Sequence, residues 1–355
     1  MVIGVLIVDD SVFFRRALRE LIATDDRLTI VGEAANGREA ILKACQLKPD
    51  VITMDVEMPI MDGIAAVREI MNRCPAPIMM LSSLTRAGAV ATFEALDAGA
   101  VDFYAKNSTD PAEVLSHSAK MLTTRLRLLA TRKQRQTLNS ESQTRGAANP
   151  SQSPPVQGPP ERGVISRRGM VAIGSSTGGP AALQRVLQDI PADFPVPIVI
   201  AQHMPAAFTG PFAHRLNESL PLHVVEVTDD CALVAGTAYI IPGGKHGEIK
   251  TRSGGLFFAE REPLSGEHFR PSVNILLHSA ANAVGIDLLG VILTGMGDDG
   301  TEGARTVRST GGHIWAQDQA SSVIYGMPAA VAKAGLVEAI LPLNDIGEAI
   351  ARCVR

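Results

Sequence analysis

Two groups of side chains in this chain could do chemistry, and they lie in opposite halves of the sequence. In the first half, carboxylates stand at Asp9, Asp10 and Asp55, with a hydroxyl at Ser82 and an amine at Lys106. Clustered carboxylates repel one another unless a hard cation sits among them, and oxygen ligands suit Mg²⁺. A carboxylate beside Mg²⁺ and a lysine can accept a phosphoryl group, because both cations neutralise the transferred oxygens. A Ser82 hydroxyl nearby could hydrogen-bond those oxygens. In the second half, Gly174-Ser175-Ser176-Thr177-Gly178 fits G-x-S-x-G, the sharp turn that exposes a nucleophilic serine, with Ser176 at its centre. A serine hydroxyl needs a base, and the base needs an orienting carboxylate. His203 in IVIAQHMP and the pair Asp298-Asp299 in ILTGMGDDG supply those residue types. The glycines of the last motif also leave backbone N–H groups exposed, and such groups can stabilise an oxyanion.

These residues are useful only if the chain brings them to one edge of a sheet. Up to about Ala130, short β-rich runs at Ile3–Val8, Thr29–Glu33, Val51–Asp55, Pro77–Ser82 and Val101–Ala105 alternate with helical stretches such as Val12–Ala23, Arg38–Leu47 and Ile64–Asn72. An apolar stripe at Val114, Leu115, Leu122, Leu126 and Leu129 predicts the closing helix. Five such units predict a doubly wound parallel sheet, in which ligands bind outside the carboxyl ends of the strands. Asp9-Asp10, Asp55, Ser82 and Lys106 all fall at such ends. The segment Asn139–Gly163, rich in Ser, Pro, Gln and Gly, reads as a flexible linker. The basic stretch Arg125–Arg135 before it reads as a solvated helix end.

The βα rhythm then resumes with Met170–Ser175, Pro197–Gln202, His223–Val227, Leu288–Leu293 and His313–Ala316. Between them, Tyr239–Ile241, Glu248–Lys250 and Leu256–Ala259, punctuated by glycines, predict a β-hairpin insertion. Ser176, His203 and the aspartate pair fall at the ends of three separate strands, and one of the two aspartates is expected to cap the following helix. His246 and His268, in the hairpin region, are weaker candidates for the base. His117, His214, His223, His278 and His313 read as surface or core residues. The expected organisation is two α/β doubly wound domains: residues 1–130, a linker over 131–167, and residues 168–355.

Composition excludes several classes of function. With 355 residues, 46% hydrophobic and 20% charged, there is material for two cores, and 4% aromatic content leaves those cores aliphatic. A net charge of −4 without a long basic run disfavours nucleic acid or anionic membrane as a partner. No segment is long enough to span a bilayer, the start lacks the marks of a signal peptide, and a cytoplasmic protein is expected. Cys45, Cys74, Cys231 and Cys353 lie far apart, form no CxxC pair and are expected to be reduced thiols.

Taken in order, VDDS, MDVEMPIMDG, the serine pair at Ser82 and Lys106 resemble the receiver domain of two-component response regulators. That resemblance implies a flavodoxin-like fold with Asp55 as phosphoacceptor. It places Mg²⁺ at Asp9, Asp10, Asp55 and the Glu57 carbonyl, with Ser82 and Lys106 as the switch pair. Asn107 departs from it, since such domains usually have proline after the lysine. With GSSTGG, AQHMP and ILTGMGDDG added, nearly the whole chain resembles the CheB family of chemotaxis protein-glutamate methylesterases. This implies a Rossmann-like hydrolase domain with catalytic Ser176, His203 and Asp299, and Thr177 and Met296 near the oxyanion. Asp298 fills the variable position of the family's G-M-G-x-D-G, and Ser175 replaces a frequent alanine. The implied partners are methyl-accepting chemoreceptors as substrate and the chemotaxis histidine kinase as phosphodonor, with deamidation of receptor glutamines as a second reaction. The competing expectation is a response regulator whose second half is a non-catalytic or nucleotide-binding output domain, the GSSTGG turn then cradling phosphate.

Overall fold

The computed structural model describes residues 2–106, 120–131 and 163–354, which fall into two compact units. The expected linker lies largely outside these residues, as do Asn107, Val114, Leu115 and His117.

The first unit is a five-stranded parallel sheet in the order β2-β1-β3-β4-β5, built from β1 (Ile3–Val8), β2 (Leu28–Ala34), β3 (Val51–Asp55), β4 (Ile78–Ser83) and β5 (Asp102–Lys106). Helices α1 (Val12–Ile22), α2 (Gly37–Leu47), α3 (Gly63–Arg73) and α4 (Arg86–Asp97) link the strands, and α5 follows over residues 120–131. β1 and β3 are buried at every position, which is why they read as unbroken apolar runs. Ser11, Asn36, Asp62 and Thr85 end these loops as N-caps, each accepting a backbone N–H from its own first turn. Gly63 has no alternative residue, because a Cβ there would lie 2.0 Å from the carbonyl oxygen of Asp55. The strand order reverses between β1 and β3, so the ligand crevice opens beside Asp9 and Asp55.

Two expectations for this unit are corrected. Cys45 and Cys74 are not separate thiols: α2 packs on α3, bringing their Cα atoms to 5.3 Å, and they form a disulfide. A separation of 29 residues in sequence hides a contact that only helix packing creates. Nor is the basic end of α5 merely solvated. Arg125 Nη1 donates to the Phe103 carbonyl at 3.1 Å and faces Asp102, while Arg127 pairs with Asp25 at 2.9 Å. Leu122, Leu126 and Leu129 of the same helix are fully buried.

The second unit holds a seven-stranded, wholly parallel sheet in the order β15-β14-β13-β6-β7-β10-β8. Its strands are β6 (Met170–Ser175), β7 (Ile198–Gln202), β8 (His223–Glu226), β10 (Thr237–Ile240), β13 (Leu288–Ile292), β14 (His313–Gln317) and β15 (Ala339–Leu341). The flanking helices are α6 (Gly179–Leu187), α7 (Ala206–Ser219), α8 (Val273–Val284), α9 (Thr301–Ser309), α10 (Met327–Lys333) and α11 (Leu343–Ala351). A separate antiparallel arm consists of β11 (His246–Arg252), β12 (Gly255–Arg261) and the short β9 (Ala232–Leu233). Ser253 and Gly254 turn β11 into β12 with positive φ at both positions, the mirror-image turn that suits the strands' twist.

Tyr239–Ile241 was expected in the hairpin patch, but most of it belongs to β10, between β7 and β8 in the main sheet. Its residues are buried on both faces, and so short an apolar run carries no period to distinguish the two sites. From β6 the chain moves to β7 on one side and returns to β13 on the other. The reversal point therefore lies at β6, flanked by β7 and β13.

Candidate phosphoacceptor and esterase sites

At the carboxyl edge of the first sheet, one carboxylate oxygen from each of Asp9, Asp10 and Asp55 lies within 4.8 Å of the others. Lys106, the last residue of β5 rather than the first of the loop, reaches Asp9 at 2.9 Å and Asp55 at 2.8 Å. Its ammonium also lies 4.5 Å from the centre of the Phe14 ring. The Val56 N–H donates to Asp55 Oδ1 at 2.9 Å, and the Ser11 N–H donates to Asp9 Oδ1 at the same distance. Burial pushes the Asp55 pKa up to about 6; Lys106 opposes this and Asp9 adds to it. Burial acts against the charge on Lys106, but Asp55 and Asp9 outweigh it and hold its pKa above the ordinary lysine value.

Three carboxylates against one ammonium leave this pocket short of positive charge, and an all-oxygen donor set fits a hard divalent cation. The surrounding cavity, about 650 Å³, is also lined by Glu57, Met58 and Ser82. The Ser82 hydroxyl donates to the Gly88 carbonyl at 3.0 Å, tying the end of β4 to the first turn of α4.

In the second unit, β6 ends at Ser175 and the chain turns through Ser176, Thr177 and Gly178 into α6. Gly178 has φ +75°, and a Cβ there would meet Val323 at 2.5 Å. A Cβ on Gly179 would lie 1.9 Å from Gln202 Oε1. The turn is thus packed against protein on both glycines, unlike an open phosphate cradle.

Asp299 Oδ2 accepts from His203 Nε2 at 2.8 Å, and the aspartate is 2% exposed. An ionised carboxylate can only accept, so Nε2 carries a proton, and in the neutral ring the lone pair is then on Nδ1. That Nδ1 is buried without a hydrogen-bond partner. The His203 N–H donates to the Ser175 carbonyl at 3.0 Å, which sets the imidazole's backbone against the serine turn. The Phe269 ring stacks on the imidazole, 4.6 Å between centroids and 10° from parallel.

Asp299 also accepts from the backbone N–H groups of Val273 (2.7 Å) and Asn274 (3.0 Å), and from Ser272 Oγ (3.0 Å). Burial alone would raise its pKa; the bonds from His203, Asn274 and Val273 prevail and hold it below the usual carboxylate value. Beside Ser176, Thr177 is fully buried with its hydroxyl unpartnered, and Met296 is half-buried on the β13 loop.

The sequence matches the family model for CheB methylesterase over residues 171–350 and that for the response regulator receiver domain over residues 5–117. The chain belongs to the CheB methylesterase family. A protein-glutamate methylesterase/protein-glutamine glutaminase of Vibrio parahaemolyticus is 46% identical across 98% of each chain. A Pseudomonas putida counterpart is 45% identical, again across 98% of each chain. The crystal structure of the Thermotoga maritima CheB methylesterase catalytic domain is 39% identical, covers 52% of this chain and 97% of its own, and has a TM-score of 0.51. The chain is thus a chemotaxis response regulator joined to a methylesterase, an ester hydrolase, and receiver domains in general take a phosphoryl group in an Mg²⁺-dependent step. No helix among the described residues is long and apolar enough to cross a membrane.

The fold brings Ser176, His203 and Asp299 to neighbouring strand ends. Asp298 is exposed, and it does not cap α9 through its side chain as one aspartate of the pair was expected to do. That helix is served by Asn274, whose Oδ1 accepts from the Gly300 and Gly303 N–H groups, while Asp299 serves α8. Gln202 was missed. Its Oε1 accepts from Ser175 Oγ at 2.6 Å, and its Nε2 donates to the Ser176 and His203 carbonyls, each at 3.0 Å. A polar residue closing the buried run IVIA was the available signal. Phe269, Ser272 and Asn274 left none, because they reach the site only through tertiary contacts.

Proposed function

We propose that Ser176, His203 and Asp299 form the catalytic triad with which this chain hydrolyses glutamate γ-methyl esters on chemoreceptors. What carries the reading is the hydrogen bond from His203 Nε2 to buried Asp299, which leaves Nδ1 without a partner on a residue whose backbone N–H is bonded to the Ser175 carbonyl. Nδ1 takes the Ser176 proton as Oγ attacks the ester carbonyl. Asp299 stabilises the imidazolium, which then protonates departing methanol. Water repeats the sequence on the acyl-enzyme, releasing the glutamate. In this reading Thr177 and the backbone of Met296 serve the oxyanion. Receptor glutamine side chains follow the same path with ammonia as leaving group.

The receiver, read as residues 1–130 with a tether over 131–167 before the esterase at 168–355, supplies control. Asp9, Asp10, Asp55 and the Glu57 carbonyl would hold Mg²⁺, and a cation there would supply neutralisation of charge on a phosphoryl group. Asp55 accepts that group from the chemotaxis histidine kinase, and Lys106 holds its oxygens. The phosphoryl group competes with the Gly88 carbonyl for the Ser82 hydroxyl, loosening β4 from α4 and raising esterase activity.

The decisive experiment measures methanol release from methyl-labelled receptor membranes by wild type and Ser176→Ala, each with and without phosphodonor. Wild-type release that rises with phosphodonor, with a silent variant, supports both parts. An active Ser176→Ala rejects the triad, and a flat response to phosphodonor rejects the regulation.

A further inference from the structure

We propose that His246, the first residue of β11 in the antiparallel arm, is a positioning residue of the esterase, acting on Asp299 through Ser272. The inference rests on the Ser176–His203–Asp299 reading and extends it to a part of the chain outside the main sheet.

His246 is fully buried. Its Nδ1 accepts from the Ser272 N–H at 3.2 Å, and the Ser272 hydroxyl donates to Asp299 Oδ1 at 3.0 Å. Asp299 in turn takes the His203 Nε2–H on its other oxygen. The chain of contacts from His246 to the base therefore has no gap. With Nδ1 accepting, the His246 proton is on Nε2, which faces Glu267 Oε2 at 3.0 Å, an ion-pair distance outside hydrogen-bond alignment. Glu267 is fixed by Arg261 and by the Leu264 N–H, each at 2.7 Å. Two residues further on, Phe269 stacks on His203. One loop thus touches the triad at both its carboxylate and its imidazole.

The capping pattern at α8 points the same way. Ser272 occupies the N-cap, where a serine hydroxyl ordinarily accepts an N–H from its own first turn, yet it makes no such bond. Asp299 takes the Val273 and Asn274 N–H groups instead, and the Ser272 hydroxyl is turned outward to donate to Asp299. The Ser272 backbone must then be held from behind, and His246 holds it. Burial keeps the His246 pKa below the ordinary histidine value; Glu267 opposes this, and Arg261 and Arg270 add to it. The neutral ring retains the Nδ1 lone pair that the Ser272 N–H requires. Protonation would set two donors against each other at that point.

The test compares kcat and KM of the full chain for methanol release, with thermal stability measured alongside. His246→Leu should lower kcat about 10- to 100-fold with KM within about twofold, the cost of a misplaced catalytic group. His246→Asn places an acceptor near the lost Nδ1 and should restore most of that rate. A side chain that only fills space predicts the reverse, with leucine tolerated and asparagine no better. Ser272→Ala, a smaller change, decides the matter if His246→Leu does not fold, and should cost about tenfold in kcat. Wild-type kcat in His246→Leu or Ser272→Ala, or no recovery in His246→Asn at equal stability, overturns the proposal. Ser176→Ala and Asp299→Ala run in parallel. If either turns over like wild type, the triad reading itself fails; if both are silent while the His246 and Ser272 variants stay active, only this inference does.

Discussion

At the scale of single residues, the candidate esterase site depends on side chains that satisfy several backbone groups at once. Gln202 is 1% exposed and ties the serine turn to the histidine loop through one amide. Gln202→Leu keeps the bulk but strands buried carbonyls and the Ser175 hydroxyl, each at a cost of about 1–3 kcal/mol. We expect a fall in kcat of about 100-fold with little change in KM, read by steady-state methanol release. Asp299 carries a pH signature. Its folded-state pKa lies below the unfolded value, so the stability it contributes is complete above the unfolded pKa of about 3.9 and is lost as pH falls through the depressed value. Melting temperatures between pH 7 and pH 3 should therefore drop more steeply at the acid end for wild type than for Asp299→Asn. Equal slopes would show that the carboxylate is not held as its hydrogen bonds imply.

At the scale of elements, parallel strands deliver functional groups to one edge, and helix packing decides what else meets. The Cys45–Cys74 disulfide joins α2 to the end of α3 and encloses β3 with Asp55. In the chain-entropy account, a loop of this size restricts the unfolded chain by about 3.6 kcal/mol. Reductant, or Cys45→Ser, should lower the denaturation midpoint of the first unit accordingly and leave that of the second unchanged. The other two thiols should differ in reactivity. Burial pushes Cys353 up to about 12, whereas Cys231 is partly exposed. A maleimide should label Cys231 in the native protein and Cys353 only after unfolding, as peptide mass spectrometry would show.

At the scale of the whole molecule, the chain pairs two sheets of the same class that carry unrelated chemistry. Asp55→Asn should leave methanol release equal with and without phosphodonor, and chelation of Mg²⁺ should do the same to wild type. A phosphodonor response that survives Asp55→Asn would place the acceptor elsewhere. Much of this organisation was legible in the linear chain. The near-continuous apolar runs of β1, β3, β6 and β7 and the glycine-marked turns identify both sheets, because a parallel strand buried on both faces is apolar along most of its length and ends where polar residues begin. Asp9, Asp10, Asp55, Lys106, Ser176, His203 and the Asp298-Asp299 pair stood out because each falls at or beyond such an end, and only the family resemblance separated Asp299 from Asp298.

Tertiary structure alone decided which distant groups complete those ends. β10 entered the main sheet rather than the arm, Cys45 met Cys74, Asn274 and Asp299 exchanged helix caps, and His246 came up behind Ser272. The physical reason is common to all four. A local pattern records whether a residue is buried and how the backbone turns, but a partner brought by packing leaves no trace in the spacing of its neighbours.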